Sequence, residues 1–485
     1  MNSVANLEPK PLWQNFAALN AVPRPSKKEE RVIAFAKQFG ESLNLPTQID
    51  HIGNVIIKKP ATKGMEDRVT VVMQSHLDMV HQKNADTDFD FLTEGIKMFV
   101  EGDWVKAEGT TLGADNGIGV ATIMALLASK DIPHPPLEAL FTIDEETGMT
   151  GALELKGGLL DGKIMLNLDT EDDNELTIGC AGGIDITATG DYVQEKLAGD
   201  FVGYELQVKG LSGGHSGMDI HKGLGNANKL INRLLYSVSK ECKARIASID
   251  GGGLRNAIPR ESFSILAIPT AQSADFEQLI QKEAAVLKSE YATTDADLEV
   301  VLNKIATPKQ VINYDFQKNL IRSIYACPNG IFRMSPDIAD LVQTSNNLAR
   351  VLVKDGNYEI LCLTRSSVDS EKMDLARAIN STFRLIGADV KTSGEYPGWT
   401  PQPKSDIVEI MSNLYRKMFK EEPHVNACHA GLECGILGTN YPEMEMISFG
   451  PNIRGAHSPD ERVQISSVQK FWKFTLETLL AIPKV

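Results

Sequence analysis

The chain has 485 residues, is 42% hydrophobic and carries a formal net charge of -15 at pH 7. This length exceeds one typical domain, so two domains are expected. The acidic balance, without a basic block, argues against a nucleic-acid partner, and no apolar run approaches the roughly 20 residues of a membrane span. The dispersed cysteines form no CxxC pair, and the N-terminus lacks the basic and apolar parts of a signal segment. These features predict a cytoplasmic protein that binds neither nucleic acid nor membrane.

The first 180 residues alternate between helical and strand-like patterns. A helical period covers residues 29–45, and an apolar stretch after a glycine-rich turn predicts a buried helix at residues 118–128. Strand-like runs occupy residues 48–58, 69–74, 137–142 and 164–168. Because the last three runs are apolar almost throughout, they indicate strands buried on both faces, as in an α/β fold.

The middle of the chain has a different pattern. Residues 204–209 alternate like a strand, and residues 226–236 and 276–291 are amphipathic helices. The strand–helix patterns of residues 201–236 and 358–383 are similar, which suggests two similar halves. The α/β pattern returns after residue 398, with a helix at 408–419 and a strand at 444–448.

These patterns predict an α/β protein with a discontinuous catalytic domain, in which helices flank a mixed sheet as in the phosphorylase/hydrolase-like folds. Residues 1–182 form its first part and residues 399–485 its second part. Residues 183–398 form an inserted α+β lid.

Five residues have the side chains and local settings of metal ligands. His76 ends a β-branched run, Glu146 and Asp169 follow predicted strands, Asp115 lies in a glycine-rich turn, and His457 lies in a late loop. Open α/β sheets place their sites at the carboxyl ends of strands. Imidazoles mixed with carboxylates suit zinc, manganese or cobalt better than calcium. The excess of carboxylates suits two ions close together, which would activate a water for hydrolysis.

Each candidate also has an ordinary interpretation when it is considered alone. His76 could be a buried histidine satisfied by protein groups, Asp115 could cap a helix, and His457 could lie in a plain loop. Glu145 and Glu146 could be a solvated acidic pair, although a metal would relieve two adjacent acids that directly follow a buried strand. Because no two of the five ligands share a helix turn, a metal site requires them to converge from separate loops.

Local segments around these residues resemble the di-zinc metallopeptidase family that includes carboxypeptidase G, bacterial dipeptidases and carnosinases. The segments are His76-Leu77-Asp78, Gly113-Ala114-Asp115-Asn116-Gly117, Glu145-Glu146-Thr147-Gly148, Asn167-Leu168-Asp169 and Gly455-Ala456-His457-Ser458-Pro459. Four more segments resemble dipeptidases of this family, namely residues 179–185, 213–217, 254–260 and 429–435. The resemblance covers essentially the whole chain, and no metal or catalytic position departs from the family pattern.

The resemblance implies two divalent metal ions, zinc first, with cobalt or manganese able to substitute. His76 and Asp169 would hold one ion, Glu146 and His457 would hold the other, and Asp115 would bridge them through its two oxygens. These assignments follow from the matched positions of the motifs.

The resemblance also implies the catalytic groups. Asp78 would accept the second imidazole N–H of His76 and fix its tautomer. Glu145 would be the general base that takes a proton from the attacking water and passes it to the leaving amine. Glu145 and Glu146 would lie on an extended segment, where neighbouring side chains point apart, so that the base would point away from the ligand.

Four residues would contact the substrate. The family uses a lid histidine such as His215 to stabilise the developing oxyanion, often across a dimer, which implies a homodimer through the inserted domain. Asn256 and Arg365 would hold the terminal carboxylate, for which the planar guanidinium is suited. Gly431 would allow the backbone to approach the substrate closely. Without the resemblance, His215 is an ordinary loop residue and Arg365 an ordinary surface charge.

The expected activity is metal-dependent hydrolysis of unblocked dipeptides, including Xaa-His and β-alanyl-histidine, with broad specificity and small peptides as partners. An amidohydrolase that deacylates N-acyl amino acids would use the same metal core and is the first alternative. A tripeptidase is a further variant, which the large inserted domain disfavours. A non-catalytic metal-dependent interaction protein is the alternative from another class, and the presence of Glu145 argues against it.

Overall fold

The computed structural model describes residues 4–485, which form two compact units. The first unit consists of the chain up to Gly179 with Trp399–Ala427 and Leu432–Val485. The second unit consists of Cys180–Gly398 and the short segment Cys428–Gly431. The second unit is therefore an insertion in the sequence of the first. None of the helices in the described residues is both long and apolar enough to cross a membrane.

The helices and strands are numbered in chain order. The helices are α1 (Lys10–Asn20), α2 (Glu30–Ser42), α3 (Ala114–Ala128), α4 (Thr150–Glu154), α5 (Ala227–Glu241), α6 (Ser273–Glu290), α7 (Tyr314–Ala326), α8 (Asp369–Arg384), α9 (Asp406–Phe419), α10 (Glu433–Asn440) and α11 (Ile465–Ala481). The strands are β1 (Thr47–Ile49), β2 (Val55–Lys59), β3 (Val71–His76), β4 (Met98–Glu101), β5 (Trp104–Ala107), β6 (Leu137–Thr142), β7 (Ile164–Asn167), β8 (Glu175–Cys180), β9 (Gly182–Asp191), β10 (Gln194–Lys196), β11 (Phe201–Lys209), β12 (Arg245–Gly252), β13 (Ser262–Pro269), β14 (Glu299–Ile305), β15 (Gln310–Ile312), β16 (Gly330–Met334), β17 (Val342–Lys354), β18 (Asn357–Ser366), β19 (Asp389–Tyr396), β20 (His424–Cys428), β21 (Glu445–Ser448), β22 (Ile453–Arg454) and β23 (Arg462–Gln464).

The main sheet of the first unit has the strand order β1-β2-β6-β3-β7-β21-β8-β20. Strands β6, β3, β7 and β21 are parallel, whereas β1, β2 and β8 pair antiparallel with their neighbours. Every residue of β3 and β6 is buried, as expected for parallel strands covered on both faces. The predicted α/β fold with a mixed sheet is confirmed.

The parallel strands bring several loops to one edge of this sheet. His76, the last residue of β3, is in register with Thr142, the last residue of β6, and Gln74 is in register with Asn167, the last residue of β7. The segments that follow these strands therefore start close together. A small sheet of order β22-β23-β5-β4 holds the ends of a further loop, residues 455–461.

The prediction of a single strand at residues 48–58 is wrong, because this segment forms two strands, β1 and β2, that pair as a hairpin. The carboxylate of Asp50 accepts hydrogen bonds from the backbone N–H groups of Ile52, Gly53 and Asn54. Gly53 has a φ of 122°, which favours glycine. An Asp and a Gly that form a tight turn divide what the sequence pattern presents as one strand.

The second unit contains an antiparallel sheet of order β14-β11-β13-β12-β17-β18-β9-β19, with β16 paired to β17 and a separate pair of β10 and β15. One half of the sheet follows the chain as β11-α5-β12-β13-α6-β14, and the other as β9-α7-β17-β18-α8-β19. Both halves are β-α-β-β-α-β units with the same spatial order of strands, and they join between β12 and β17. The first of these halves is inserted between the first strand and first helix of the other.

Helices α5 to α8 pack on this sheet and form its core. Burial alternates along β11, where Tyr204, Leu206 and Val208 are buried and the residues between them are less so. This alternation is typical of an antiparallel strand with one face on the core. That the second unit acts as a lid or a dimerisation domain stays a prediction.

Candidate metal centre and substrate-binding residues

Three of the predicted ligands form one group in the first unit. His76 Nε2 lies 3.2 Å from Asp115 Oδ1 and 3.5 Å from Asp169 Oδ1. His76 ends β3, Asp115 lies near the start of α3, and Asp169 follows β7, so three separate elements contribute. The ligand atoms of these residues all lie within 4.8 Å of one another, which is close enough to hold a metal ion.

A second group shares Asp115 with the first. His457 Nε2 lies 3.2 Å from Asp115 Oδ2 and 3.0 Å from Glu146 Oε2. The two oxygens of Asp115 thus face different histidines, and the three residues again have ligand atoms within 4.8 Å of one another. His457 lies in the loop between β22 and β23 and has a φ of 63°. All five predicted ligands are therefore brought together.

The residues present fit divalent cations. Among residues 4–485, Glu146 Oε1 is buried without a hydrogen-bond partner, so it is available as a ligand. Burial, reinforced by Asp115 and Glu146, raises the pKa of Asp169 to about 6. Hydrogen bonds to Asp115 and Glu146 raise the pKa of His457 to about 11. A divalent cation stabilises such concentrated negative charge.

Asp78 is fully buried and contacts both His76 and the turn that carries Glu145 and Glu146. Its carboxylate lies 3.3 Å from His76 Nδ1 and accepts hydrogen bonds from Ser26 Oγ and from the backbone N–H groups of Glu145 and Glu146. Burial alone would raise the pKa of Asp78, but the contacts with His76 and Ser26 outweigh it and lower that pKa. One carboxylate therefore orients an imidazole and the turn that carries two glutamates.

Glu145 and Glu146 lie in a turn after β6, not in an extended segment, so the prediction that an extended backbone separates their side chains is wrong. The left-handed φ of 57° at Asp144 redirects the chain after the strand. Ligand atoms of both glutamates lie within 4.8 Å of each other and of His76. Burial raises the pKa of Glu145 well above its ordinary value, and Asp169 adds to the rise. A carboxylate with a raised pKa is a stronger base.

Buried Glu433 was not identified from the sequence, although it connects three strands that precede the ligands. Its Oε2 accepts hydrogen bonds of 2.6 Å from Gln74 on β3 and from Thr142 on β6, and Gln74 accepts one from Asn167 on β7. Burial raises the pKa of Glu433 to about 8. No local motif marks this role, because each partner is far away in the sequence.

Two more buried charged residues, Arg24 and Glu461, were also not identified from the sequence. Arg24 donates to backbone carbonyls, and burial lowers its pKa to about 10. Glu461 accepts from backbone amides, and burial raises its pKa to about 7. Because backbone groups carry no residue identity, a sequence pattern gives no signal for such contacts.

The second unit contains the predicted substrate-binding residues. Arg365 on β18 is buried, so the alternative interpretation of it as a surface charge is wrong. Its Nη1 donates to the hydroxyl of Tyr396 at 2.8 Å, its Nε donates to Ser216 Oγ at 3.4 Å, and its Nη2 lies 3.5 Å from His215 Nε2. These partners carry no negative charge, so the guanidinium can pair with an anion.

His215 is held as a neutral ring. Its Nδ1 accepts hydrogen bonds from the backbone N–H groups of Gly217 at 3.2 Å and Met218 at 3.0 Å. Burial, together with the charge of Arg365, lowers the pKa of His215 to about 4. Because Nδ1 accepts, the ring proton belongs on Nε2, which can then donate to a ligand.

Asn256 and Gly431 lie in the same unit. Asn256 is exposed, and its backbone carbonyl accepts a hydrogen bond from the N–H of Ser216, next to His215. Gly431 ends the segment that contains His429, whose Nε2 lies 2.7 Å from a serine hydroxyl of β17 and whose pKa burial lowers to about 3. This segment lies close to Gly217, because a Cβ at that position would lie 2.0 Å from the carbonyl oxygen of His429.

The two units thus offer different chemistry. The first unit contains two groups of candidate metal ligands that share Asp115, next to the buried carboxylate of Glu145. The second unit contains a buried guanidinium, that of Arg365, and the neutral imidazole of His215, which suit an anionic or carbonyl ligand.

The sequence matches a known peptidase family. Residues 72–481 match the model of peptidase family M20/M25/M40. The chain is 42% identical, over 483 residues and 100% of both chains, to the cytosol non-specific dipeptidase of Escherichia coli (strain K12).

Solved structures agree with this family. The segments at residues 179–185, 213–217, 254–260 and 429–435 resemble aminoacylhistidine dipeptidase in particular, and the crystal structure of that enzyme from Vibrio alginolyticus matches with a TM-score of 0.94. The match has 44% identity and covers 99% of this chain and 98% of the other. The aminopeptidase PepT of Bacillus cereus shares the fold, with a TM-score of 0.58 at 15% identity, covering 98% of this chain and 99% of the other. The resemblance drawn from the motifs is confirmed, and the chain belongs to peptidase family M20/M25/M40.

Proposed function

We propose that this chain is a dipeptidase that depends on two divalent metal ions and cleaves unblocked dipeptides, including Xaa-His and β-alanyl-histidine. The observation that carries the proposal is the pair of ligand groups that share Asp115, next to the buried Glu145. Full-length similarity to a dipeptidase supports the substrate class. Zinc is the proposed metal, with cobalt or manganese able to replace it, because the donors are imidazoles and carboxylates.

His76 and Asp169 are the proposed ligands of one ion, Glu146 and His457 those of the other, and Asp115 is shared. When bound, the ions would supply a more acidic water and a polarised peptide carbonyl. The distances within both ligand groups support this assignment.

Glu145 is the proposed general base. It takes a proton from the attacking water at a carboxylate oxygen and delivers that proton to the leaving amine nitrogen. Asp78 keeps His76 and the turn of Glu145 in position through its hydrogen bonds and its contact with the imidazole. The raised pKa of Glu145 supports its role, because a stronger base takes the proton more readily.

Arg365 is proposed to pair with the terminal carboxylate of the dipeptide, with Asn256 and the backbone at Gly431 also contacting the substrate. His215 is proposed to donate its Nε2–H to the carbonyl oxygen as negative charge develops there. The buried guanidinium with neutral partners and the acceptor role of His215 Nδ1 support these roles.

We further propose that the protein acts as a homodimer through its second unit, in the cytoplasm. The name of the Escherichia coli relative, a cytosol enzyme, supports the location. Sedimentation tests the assembly: a dimer is expected, and a fully active monomer would remove this part of the proposal.

The main test measures hydrolysis of β-alanyl-histidine and of matched free and N-acetylated dipeptides by metal-loaded and chelated protein. Cleavage restricted to free dipeptides, lost on chelation and restored by zinc, cobalt or manganese, is the expected result. Cleavage restricted to N-acetylated substrates would indicate an amidohydrolase instead. Absence of turnover on both sets would contradict the proposed function and favour a binding protein.

A further inference from the structure

The backbone N–H groups of four successive residues, the last of which is Asp115, donate hydrogen bonds to the carboxylate of Glu461. This side chain is buried. Glu461 Oε2 accepts from the first two amides and Oε1 from the next two. The donors and their N···O distances are Leu112 at 2.7 Å, Gly113 at 2.9 Å, Ala114 at 2.7 Å and Asp115 at 3.2 Å. Hydrogen bonds from amides to a carboxylate are stronger than those to a neutral acceptor, so this contact fixes the backbone of the segment.

Arg24 holds the same segment through a carbonyl oxygen. Its Nη2 donates to the carbonyl of Gly113 at 2.6 Å, and its Nη1 donates to the carbonyls of Leu77 and Asp78, each at 3.0 Å. Leu77 and Asp78 directly follow the proposed ligand His76. The guanidinium therefore connects the segment before Asp115 to the end of β3.

Glu461 belongs to the loop that also carries His457. The N–H of Glu461 donates to the carbonyl of Ser458 at 3.0 Å, which ties the two parts of this loop together. His457 Nε2 lies 3.2 Å from Asp115 Oδ2. One loop thus supplies both a proposed ligand and the carboxylate that holds the backbone of the shared ligand.

We propose that Glu461 is a positioning residue that fixes Asp115 relative to His457, while Arg24 fixes the same segment relative to His76. The inference rests on the proposed function, because it takes these three residues as metal ligands. In this role Glu461 contacts no substrate and transfers no proton. Its carboxylate fixes the backbone at Asp115 and thereby the direction of the Asp115 side chain. The geometry of both proposed ion positions depends on that side chain.

The test is titration of the chelated full-length protein with Co²⁺, followed by calorimetry and by the visible spectrum of the bound ion. Glu461→Gln keeps the size of the side chain but turns an amide N–H group toward backbone N–H groups. We expect the more weakly bound Co²⁺ to lose about 10- to 100-fold in affinity, as is typical when a partner of a metal ligand is removed, and the spectrum to change.

The matched control is Glu138→Gln. Glu138 is also buried in the first unit and also accepts from two successive backbone amides, those of Asp161 and Gly162 at 2.8 and 3.0 Å. Since Glu138 lies on β6 near the end opposite the ligands, its variant is expected to bind Co²⁺ like the wild type. If Glu461→Gln fails to fold, Glu461→Asp shortens the reach but keeps the charge, and a smaller loss of affinity is expected.

The outcomes separate the two proposals. A folded Glu461 variant with wild-type affinities and spectrum contradicts the positioning role, even if its thermal midpoint falls. Wild-type protein that binds two Co²⁺ but cleaves no dipeptide contradicts the proposed function and leaves the positioning result valid. Wild-type protein that binds no Co²⁺ overturns both.

Discussion

His457 in the first unit and two histidines of the second unit have pKa values that are shifted in opposite directions. In the first unit, neighbouring carboxylates raise the pKa of His457 to about 11. In the second unit, burial and the nearby charge of Arg365 lower the pKa of His215 to about 4 and that of His429 to about 3. An imidazole beside two carboxylates therefore holds its proton tightly, whereas a buried imidazole near a guanidinium stays neutral and acts as a hydrogen-bonding group. Burial and the neighbouring charges of each ring, and not the residue type, set the direction of the shift.

The largest expected effect is a loss of kcat on substitution of Glu145, which lies among the acidic residues of the first unit. Glu145→Gln removes the proposed base but no proposed ligand, so kcat for free dipeptides should fall by about 10²- to 10⁴-fold while both ions stay bound. Steady-state kinetics and metal analysis of the purified variant measure the two effects. Glu154→Gln, on the exposed surface of α4, is the control and should behave like the wild type. Turnover close to that of the wild type in the Glu145 variant would exclude this residue as the base.

The next effect concerns Arg365, which is proposed to bind the substrate carboxylate. Arg365→Lys keeps the charge but loses the planar pair of donors, so KM for free dipeptides should rise about 10- to 100-fold. Dipeptides with an amidated C-terminus should be affected much less, because they lack the carboxylate. Arg350→Lys changes a partly exposed arginine of the same sheet, which pairs with Asp250, and serves as the control. An equal loss on both substrate types would show that Arg365 does not bind the carboxylate.

The smallest effect is on stability. The pKa of Glu433 rises from 4.5 to about 8 on burial, so between these pH values the folded protein holds a proton that the unfolded carboxyl has lost. Through this group, the free energy of unfolding therefore decreases as pH rises from about 5 to 8. Urea unfolding of the chelated protein should show a flatter pH dependence for Glu433→Gln than for the wild type. Identical slopes would show that Glu433 ionises in the folded protein as readily as in the unfolded one.

Much of the fold follows from local patterns. The apolar runs at residues 137–142 and 164–168 coincide with β6 and nearly with β7, because strands buried on both faces need apolar side chains throughout. The five ligand candidates could be selected because they follow such strands or lie in short motifs. The hairpin of β1 and β2 was missed, since its turn depends on the side chain of Asp50 and not on hydrophobicity.

The supporting residues could not be predicted in this way. Glu461 binds backbone amides about 350 positions earlier in the chain, and any residue could supply those amides. Glu433 and Arg24 have their roles only through contacts that fold topology creates. Tyr396, the partner of Arg365, lies on β19, and no local motif connects it to β18. Sequence motifs therefore pointed to the proposed ligands and the proposed base, but not to the buried residues that contact them.

The insertion of the second unit has a consequence for the order of folding. Its two ends are adjacent, because a Cβ at Gly182 would lie 2.5 Å from the backbone nitrogen of Gly398. Strands β7 and β21 pair in the first unit although the insertion separates them in the sequence. Closing an unstructured loop of that length would cost about 5 kcal/mol of chain entropy. If the second unit folds first, its adjacent ends bring β7 and β21 together and avoid most of this cost.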